Sequence, residues 1–508
     1  MTALTEPNVR HAAEMLLGID IGTSGCKVTL FATDGAVLYQ GAKPYATEYP
    51  RPGYAEQRPE HWWDAVCDNL RDMFAATGAR ADRIVGIGVD GMSGCAVPLD
   101  RDGRPLRSAM IWLDRRSARE CERLERAIGR SKLFEVTGNP MAPSYVTGKI
   151  AWLRSHEPDV WRRTEKLLQC NAYIVYRLTG RFSQDVSQGN GLHAFDIRTL
   201  RWNDALAAEL GIPIDRLPDI YGCADVVGGV AANAAAETGL AAGTPVVAGG
   251  LDAACATLGA GAHRAGEAQE QGGQAGGMSI VTDRPLAHEK LILSAHVVPG
   301  AWILQGGTVG GGSLNWLKRE FAGSAPGDFF EDASAAAART PAGADGLLFL
   351  PYMAGERSPI WDPDAKGVFL GLTYEKTKGH LFRAVMEGAA FALRHNLETA
   401  EESGVGVGAL HSVGGAANSG VWTQIKADVT GKTFRIPYSD SATTLGAAML
   451  AGVGTGVYRD VEDAVRQTVR IRREHAPDSE RRDVYDRMYA IYLETYERLK
   501  DLFPKLGS

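Results

Sequence analysis

The chain has 508 residues, 45% of them hydrophobic and 23% charged, the balance of a globular protein long enough for two or three domains. A net charge of −7 with no dense Lys/Arg run argues against nucleic acid or an anionic membrane surface as the main partner. Seven scattered Cys without a C-x-x-C pair argue against a disulfide framework or a zinc site. With no secretory pattern at the start and no stretch near the ~18 apolar residues of a membrane span, a cytoplasmic protein is expected.

Residues 1–13 read as a frayed start. An apolar strand is predicted over Leu16–Ile21, then the turn Gly22-Thr23-Ser24-Gly25, a strand over Lys27–Ala32, the hairpin signal Asp34-Gly35 and a third strand over Ala36–Gln40. His61–Phe74 has helical spacing, with Trp62, Val66, Leu70 and Met73 on one face. Ile84–Val89 then reads as a buried strand ending at Asp90-Gly91. This order makes an α/β module with a glycine turn at the strand ends where α/β ligands usually sit.

The pattern returns in a second module from about residue 265. Gln271–Val281 is a glycine turn entering a strand, and Ala301–Gln305 a strand ending at Gly306-Gly307. Residues 322–346 read as a surface excursion. His380–Leu397 reads as a helix with Phe382, Val385, Ala389 and Leu393 inward, and Leu410–Val413 as a strand ending at Gly414-Gly415 before a helix from Ser419. A last helix spans Glu480–Phe503, with Val484, Met488, Tyr492, Tyr496 and Leu499 on its inner face. Two similar halves predict a cleft between them.

Four glycine clusters stand at strand ends. Asp20-Ile21-Gly22-Thr23-Ser24-Gly25-Cys26-Lys27 lacks the G-x-x-x-x-G-K-[ST] phosphate loop. Its bare N–H groups and the hydroxyls of Thr23 and Ser24 still suit a phosphate, and Asp20 then makes sense as a ligand of Mg²⁺ or of its water; otherwise this is a plain tight turn. Val246–Gly259 brings Asp252 to a helix N-terminus, either as a cap or as a base able to accept a hydroxyl proton. Gly306–Trp316 and Gly414–Gln424 are glycine clusters opening helices, suited to phosphate and a flat adenine ring.

Gly367–Glu387, GVFLGLTYEKTKGHLFRAVME, resembles the second signature of the FGGY carbohydrate kinases of the actin-like ATPase superfamily at Gly367, Phe369, Gly371, Leu372, His380, Leu381, Ala384 and Glu387. Lys149-Ile150-Ala151-Trp152-Leu153 matches the first signature, with departures at Val146 and Ser155. The resemblance spans roughly residues 15–470 and is nearest to the family's xylulokinases. It implies an α/β fold of two actin-like (ribonuclease H-like) ATPase domains with an interdomain cleft, one over 14–260 and the other over 261–508. It also implies ATP and Mg²⁺ as cofactors, a small sugar as substrate and, plausibly, a homodimer. Carried over residue by residue, Asp252 is the catalytic base and Asp20 the metal residue. Thr23, Ser24 and Lys27 fall on the first phosphate hairpin, Gly273 and Gln274 on the second, Gly311 near the phosphates, and Gly415 and Asn418 at the adenosine site. Gln274 stands where the family usually has Thr. Met92, Ser93, Trp112 and Asp114 fall in the sugar site, with Ser93 in place of the xylulokinase His and Ala253 in place of Asn. Losing two polar contacts together relaxes or changes sugar selectivity. The same cleft would also serve an actin- or chaperone-like ATPase that has no sugar substrate.

Overall fold

The computed structural model describes residues 14–273, 275–321 and 328–506; the expected frayed start and Gln274 lie outside them. MLLGIDI is apolar on both faces, as a strand covered on both sides must be, and forms β1 (Met15–Ile21), buried throughout. The chain reverses twice into antiparallel β2 (Gly25–Ala32) and β3 (Val37–Pro44). Helix α1 (Pro59–Thr77) begins with Pro in its first turn and stops at left-handed Gly78. Trp62, Val66, Leu70 and Met73 are buried, as their spacing predicts. The chain returns through β4 (Ile84–Gly91), parallel to β1 with Asp90 opposite Asp20. The first signature lies on α2 (Val146–His156). Strands β5 (Val226–Gly229), β6 (Pro245–Val247) and β7 (Gly250–Leu251) complete a sheet of order β5-β6-β4-β1-β2-β3, with β7 paired to β4. Helix α3 (Asp252–Gly259) leaves this sheet.

The second half repeats the plan. Strand β8 (Glu267–Gly272) turns into antiparallel β9 (Ala275–Thr282), followed by β10 (Ile292–Ala295) and β11 (Trp302–Val309). Helices α4 (Gly312–Phe321) and α5 (Phe329–Arg339) precede the small pair β12 (Leu348–Pro351) and β13 (Gly367–Leu370). Then come α6 (Lys378–Glu401), β14 (Ala409–Val413), α7 (Gly420–Thr430), β15 (Thr433–Pro437), α8 (Ala442–Gly454), β16 (Ile471–His475) and α9 (Arg482–Leu499). The second sheet runs β10-β11-β9-β8-β14-β15-β16. Its Glu270 stands opposite Ser412 across β8 and β14, as Asp20 stands opposite Asp90 in the first sheet.

Two expectations need correction. β11 continues past Gly306-Gly307 to Val309, because those glycines pair with Met278 and Gly277 of β9 rather than turning. The excursion over 322–346 contains helix α5, whose Ala333 and Ala337 are fully buried; alanine gives little hydrophobic signal but fits a close helix contact. Residues 322–327 lie outside the described residues. On α9 the expected Met488 and Tyr492 are buried and Val484, Tyr496 and Leu499 pack half-buried against the same core; the face also takes in Tyr485 and Tyr489, the Tyr485 hydroxyl having buried partners in Arg383 and Glu387, at 2.7 and 3.0 Å.

The halves meet through α8, which packs on β1, β4 and α3. A Cβ at Gly18 would sit 2.1 Å from the Thr444 carbonyl oxygen, and one at Gly88 1.9 Å from that of Ala447. Gly446 and Gly259 meet the Cys255 and Ala442 carbonyls at 2.0 and 1.8 Å in the same sense. Leu16, Leu251, Leu258, Val281, Leu445 and Ala448 from both halves close one apolar core around this contact. Gly88→Ala is therefore expected to cost at least ~1–3 kcal/mol of stability, the range for overpacking, measured by denaturant unfolding. Gly406→Ala, where an added Cβ meets nothing, should leave stability within ~0.5 kcal/mol.

Candidate active site

Strand register lays Lys27, Asp20, Asp90 and Gly250 in one transverse row across β2, β1, β4 and β7. Lys27 Nζ lies 3.3 Å from Asp20 Oδ2. Asp20 is nearly buried and Asp90 wholly so, and neither Asp90 oxygen accepts a hydrogen bond among the described residues. Burial first, then the charges of Asp20 and Asp252, push the Asp90 carboxyl far above the usual range. Asp252 begins α3, where the Ala253 N–H donates to its Oδ1 at 2.6 Å. Burial, then Asp20, raises Asp252 to about 7, the range wanted of a general base near neutrality.

A buried polar brace holds these carboxylates. The Leu251 N–H donates to Ser187 Oγ at 2.8 Å, Ser187 donates to Asp185, and Asn171 Nδ2 donates to Asp185 Oδ2 at 2.8 Å. Gln188 Nε2 donates to the Gly91 carbonyl at 2.8 Å. One short segment thus fixes both strand ends, β4 after Asp90 and β7 before Asp252.

The first hairpin is tied down from three sides. The Tyr45 hydroxyl donates to the Gly22 carbonyl at 2.5 Å and Gln57 Nε2 to the Thr23 carbonyl at 2.7 Å. Trp112 Nε1 donates to Thr23 Oγ1 at 3.0 Å, so the Thr23 hydroxyl accepts on its inner side and keeps its proton for a donation outward. Ser24 is exposed at the tip. Trp112, expected in the sugar site, therefore also holds the hairpin expected to bind phosphate.

Two expected sugar contacts are corrected. Asp114 is fully buried, accepting from the Ala55 N–H at 2.7 Å and from Arg116 Nε and Nη2 at 2.9 and 2.7 Å. A carboxylate so occupied supports the loop rather than a ligand. Met92 is buried in the first core, and its N–H donates to the Ile21 carbonyl at 3.1 Å. Ser93 remains half-buried between Met92 and Gly94. Beneath it the buried Lys149 of the first signature donates to the Gly94 and Ser144 carbonyls, both at 2.7 Å, with burial lowering its ammonium to about 8.

In the second half a cleft of about 880 Å³ is lined by Gly273, Gly311, Gly415 and Asn418, with Leu314 and Phe330 among its apolar walls. Four of the residues expected at the second hairpin, near the phosphates and at the adenosine site thus line one cleft. The Gly311 N–H donates to the Gly273 carbonyl at 2.6 Å. A Cβ at neighbouring Gly310 would lie 2.3 Å from that same oxygen, so the two glycine turns touch backbone to backbone. Asn418 Oδ1 accepts from Arg472 Nη2 at 2.6 Å. The glycine floor and apolar walls can take a flat ring.

Residues 15–259 match the N-terminal domain of the FGGY family of carbohydrate kinases, and residues 276–455 match its C-terminal domain. The chain belongs to that family. The xylulose kinase of Bacillus subtilis (strain 168) is 31% identical over 496 residues, 97% of this chain and 99% of that one. The gluconokinase of Bacillus licheniformis is 28% identical over 503 residues, 97% and 98% of the two chains. The crystal structure of xylulose kinase from Rhodospirillum rubrum superposes with a TM-score of 0.88 at 32% identity, covering 96% of this chain and 100% of that one. This carbohydrate kinase therefore has the expected two-domain α/β fold. Among its described residues no helix is long and apolar enough to cross a membrane.

Sequence reasoning passed over Asp90, Tyr45 and Gln57. Asp90 looked like the end of a strand; the signal was a carboxylate in a strand whose neighbours are buried. Tyr45 and Gln57 carry no local signal, because their partners are backbone carbonyls distant in sequence. In this kinase Trp112→Phe should raise KM for the nucleotide as well as for the sugar, by ~2–10-fold, since one hydrogen bond is worth ~0.5–1.5 kcal/mol. Initial-rate kinetics with each substrate varied will show it. Asp114→Asn leaves Arg116, which is only 2% exposed, with Glu56 as its carboxylate partner and should cost ~1–3 kcal/mol of stability, read by thermal unfolding.

Proposed function

We propose that this kinase transfers the γ-phosphoryl group of ATP to a primary hydroxyl of a small sugar, converting D-xylulose to D-xylulose 5-phosphate. The observation that carries the reading is Asp252, a carboxylate raised to about 7 at a helix N-terminus beside the strand row that leads into the first glycine hairpin. Asp252 takes the proton of the attacking hydroxyl. Thr23 and Ser24, with the hairpin N–H groups, orient the transferred group, and Lys27 offsets its charge. The cleft at Gly273, Gly311, Gly415 and Asn418 holds the nucleotide, and Trp112 walls the sugar pocket. The donor set fits a hard divalent cation: Asp20 offers carboxylate oxygen, and buried Asp90 has oxygens that accept no hydrogen bond among the described residues. Among the described residues no group of three or more His, Cys, Asp or Glu closes on one point, so Asp20 would hold Mg²⁺ with water and phosphate completing its shell. There Mg²⁺ supplies neutralisation of phosphate charge.

D-Xylulose is supported by the xylulose kinases of Bacillus subtilis and Rhodospirillum rubrum. A second reading, phosphorylation of another ketose, a polyol or a sugar acid, is favoured by Ser93 and Ala253, short side chains that cannot make the polar contacts of a His and an Asn, and by the gluconokinase relative. ADP release with Mg-ATP over D-xylulose, L-xylulose, the ribuloses, erythritol, glycerol and gluconate decides between them. Preference for D-xylulose supports the first reading, preference for another member the second, and ATP turnover that needs no sugar overturns both.

Only ionised Asp252 accepts a proton, so kcat/KM should rise with pH along a limb centred at or below about 7, since a bound cation lowers the value, and level off above it. Asp252→Asn should lose ~10²–10⁴-fold in kcat, with nucleotide and sugar binding retained by calorimetry. Turnover within about threefold of wild type would remove Asp252 from the base role.

A further inference from the structure

We infer that Asp90 is a second carboxylate of the divalent-cation seat, facing Asp20 in the same transverse row of the first sheet. The inference rests on the proposed role of Asp20 as the metal residue and goes beyond it. Parallel register sets Asp90 directly opposite Asp20, so both side chains leave the same face of the sheet. That face is the one pressed against α8: two residues back along each strand, Gly18 and Gly88 meet the Thr444 and Ala447 carbonyls. In the row, Lys27 pairs with Asp20, while Gly250 on the other side of Asp90 has no side chain to offer it. Asp90 is wholly buried, no N–H or hydroxyl among the described residues donates to its oxygens, and the group its carboxyl meets is the carboxylate of Asp20. Native proteins rarely leave such atoms without a donor, and a bound cation is among the ordinary ways of satisfying them. Two carboxyl groups set face to face are held by a shared proton or by a cation between them, and Lys27, the ammonium of this row, already pairs with Asp20. A cation between two carboxylates with water and phosphate around it is an ordinary Mg²⁺ environment.

Mn²⁺ replaces Mg²⁺ as a paramagnetic probe, and its binding to the full-length protein with saturating ADP is followed by water-proton relaxation for wild type, Asp20→Asn and Asp90→Asn. ADP affinity and thermal unfolding are measured in EDTA beside it. Asp90→Asn is expected to weaken Mn²⁺ binding at least tenfold, to leave metal-free ADP affinity within threefold, and to hold or raise the unfolding temperature in EDTA, where an uncompensated buried carboxylate has gone. Mn²⁺ affinity within threefold of wild type in Asp90→Asn, alongside a loss in Asp20→Asn, overturns the inference and leaves the role of Asp20 standing. Unchanged Mn²⁺ binding in both variants overturns the two together. Asp90→Ser, smaller and neutral, repeats the test should Asp90→Asn fail to fold.

Discussion

Helix α8 touches the first sheet backbone to backbone, and the position of every catalytic group depends on that contact. At Gly18, Gly88, Gly446 and Gly259 the nearest atoms to a hypothetical Cβ are carbonyl oxygens within about 2 Å. No rotamer change can relieve such a contact, so α8, α3, β1 and β4 behave as one rigid block. Asp20, Asp90 and Asp252 all stand at the edge of that block, on the ends of β1 and β4 and the start of α3. The helix comes from the second half of the chain while its partners come from the first, which makes the base of the cleft common to both domains.

Rigid placement lets unfavourable electrostatics persist. Three carboxylates near one another with a single ammonium would relax apart in a soft site; here the buried Asp185–Ser187–Gln188 brace fixes the strand ends that carry two of them. The resulting upward push on Asp252 is what a proton acceptor near neutral pH requires. The first hairpin is treated likewise, with Tyr45, Gln57 and Trp112 occupying its inward acceptors so that its donors face out.

The segment most diagnostic of the family does structural work. In Gly367–Glu387, His380 caps α6 by accepting from the Thr377 N–H at 3.0 Å, and its other nitrogen lies 3.0 Å from Asp345. Glu387 is buried with Arg383, Tyr485 and the Gly343 N–H around one of its oxygens, tying α6 to α9. A left-handed Gly371 passes so close to the Gly346 carbonyl that a Cβ would lie 2.4 Å from it. Such residues are held by contacts specific to this packing, and they say little about which sugar is bound.

Local chemistry determined much of this protein before any folding was considered. An apolar run and glycine turns predict β1 to β3, helical spacing predicts α1 and α6, and the glycine clusters mark the strand ends where ligands gather. These are short-range properties, set by side-chain period and by the backbone freedom of glycine. Tertiary structure alone decided the rest. Asp114 and Met92 looked like ligand contacts and became core residues, because burial depends on what the fold brings over a side chain. Asp90 looked like the end of a strand and became a buried carboxyl group facing that of Asp20, because that depends on the register of β4 against β1 and on the missing side chain of Gly250. The inner face of α9 also took in Tyr485, whose hydroxyl met Arg383 and Glu387, about a hundred residues away in the chain. Period and turn chemistry are written in neighbours along the sequence; desolvation, charge balance and hydrogen-bond partners are settled by neighbours in space.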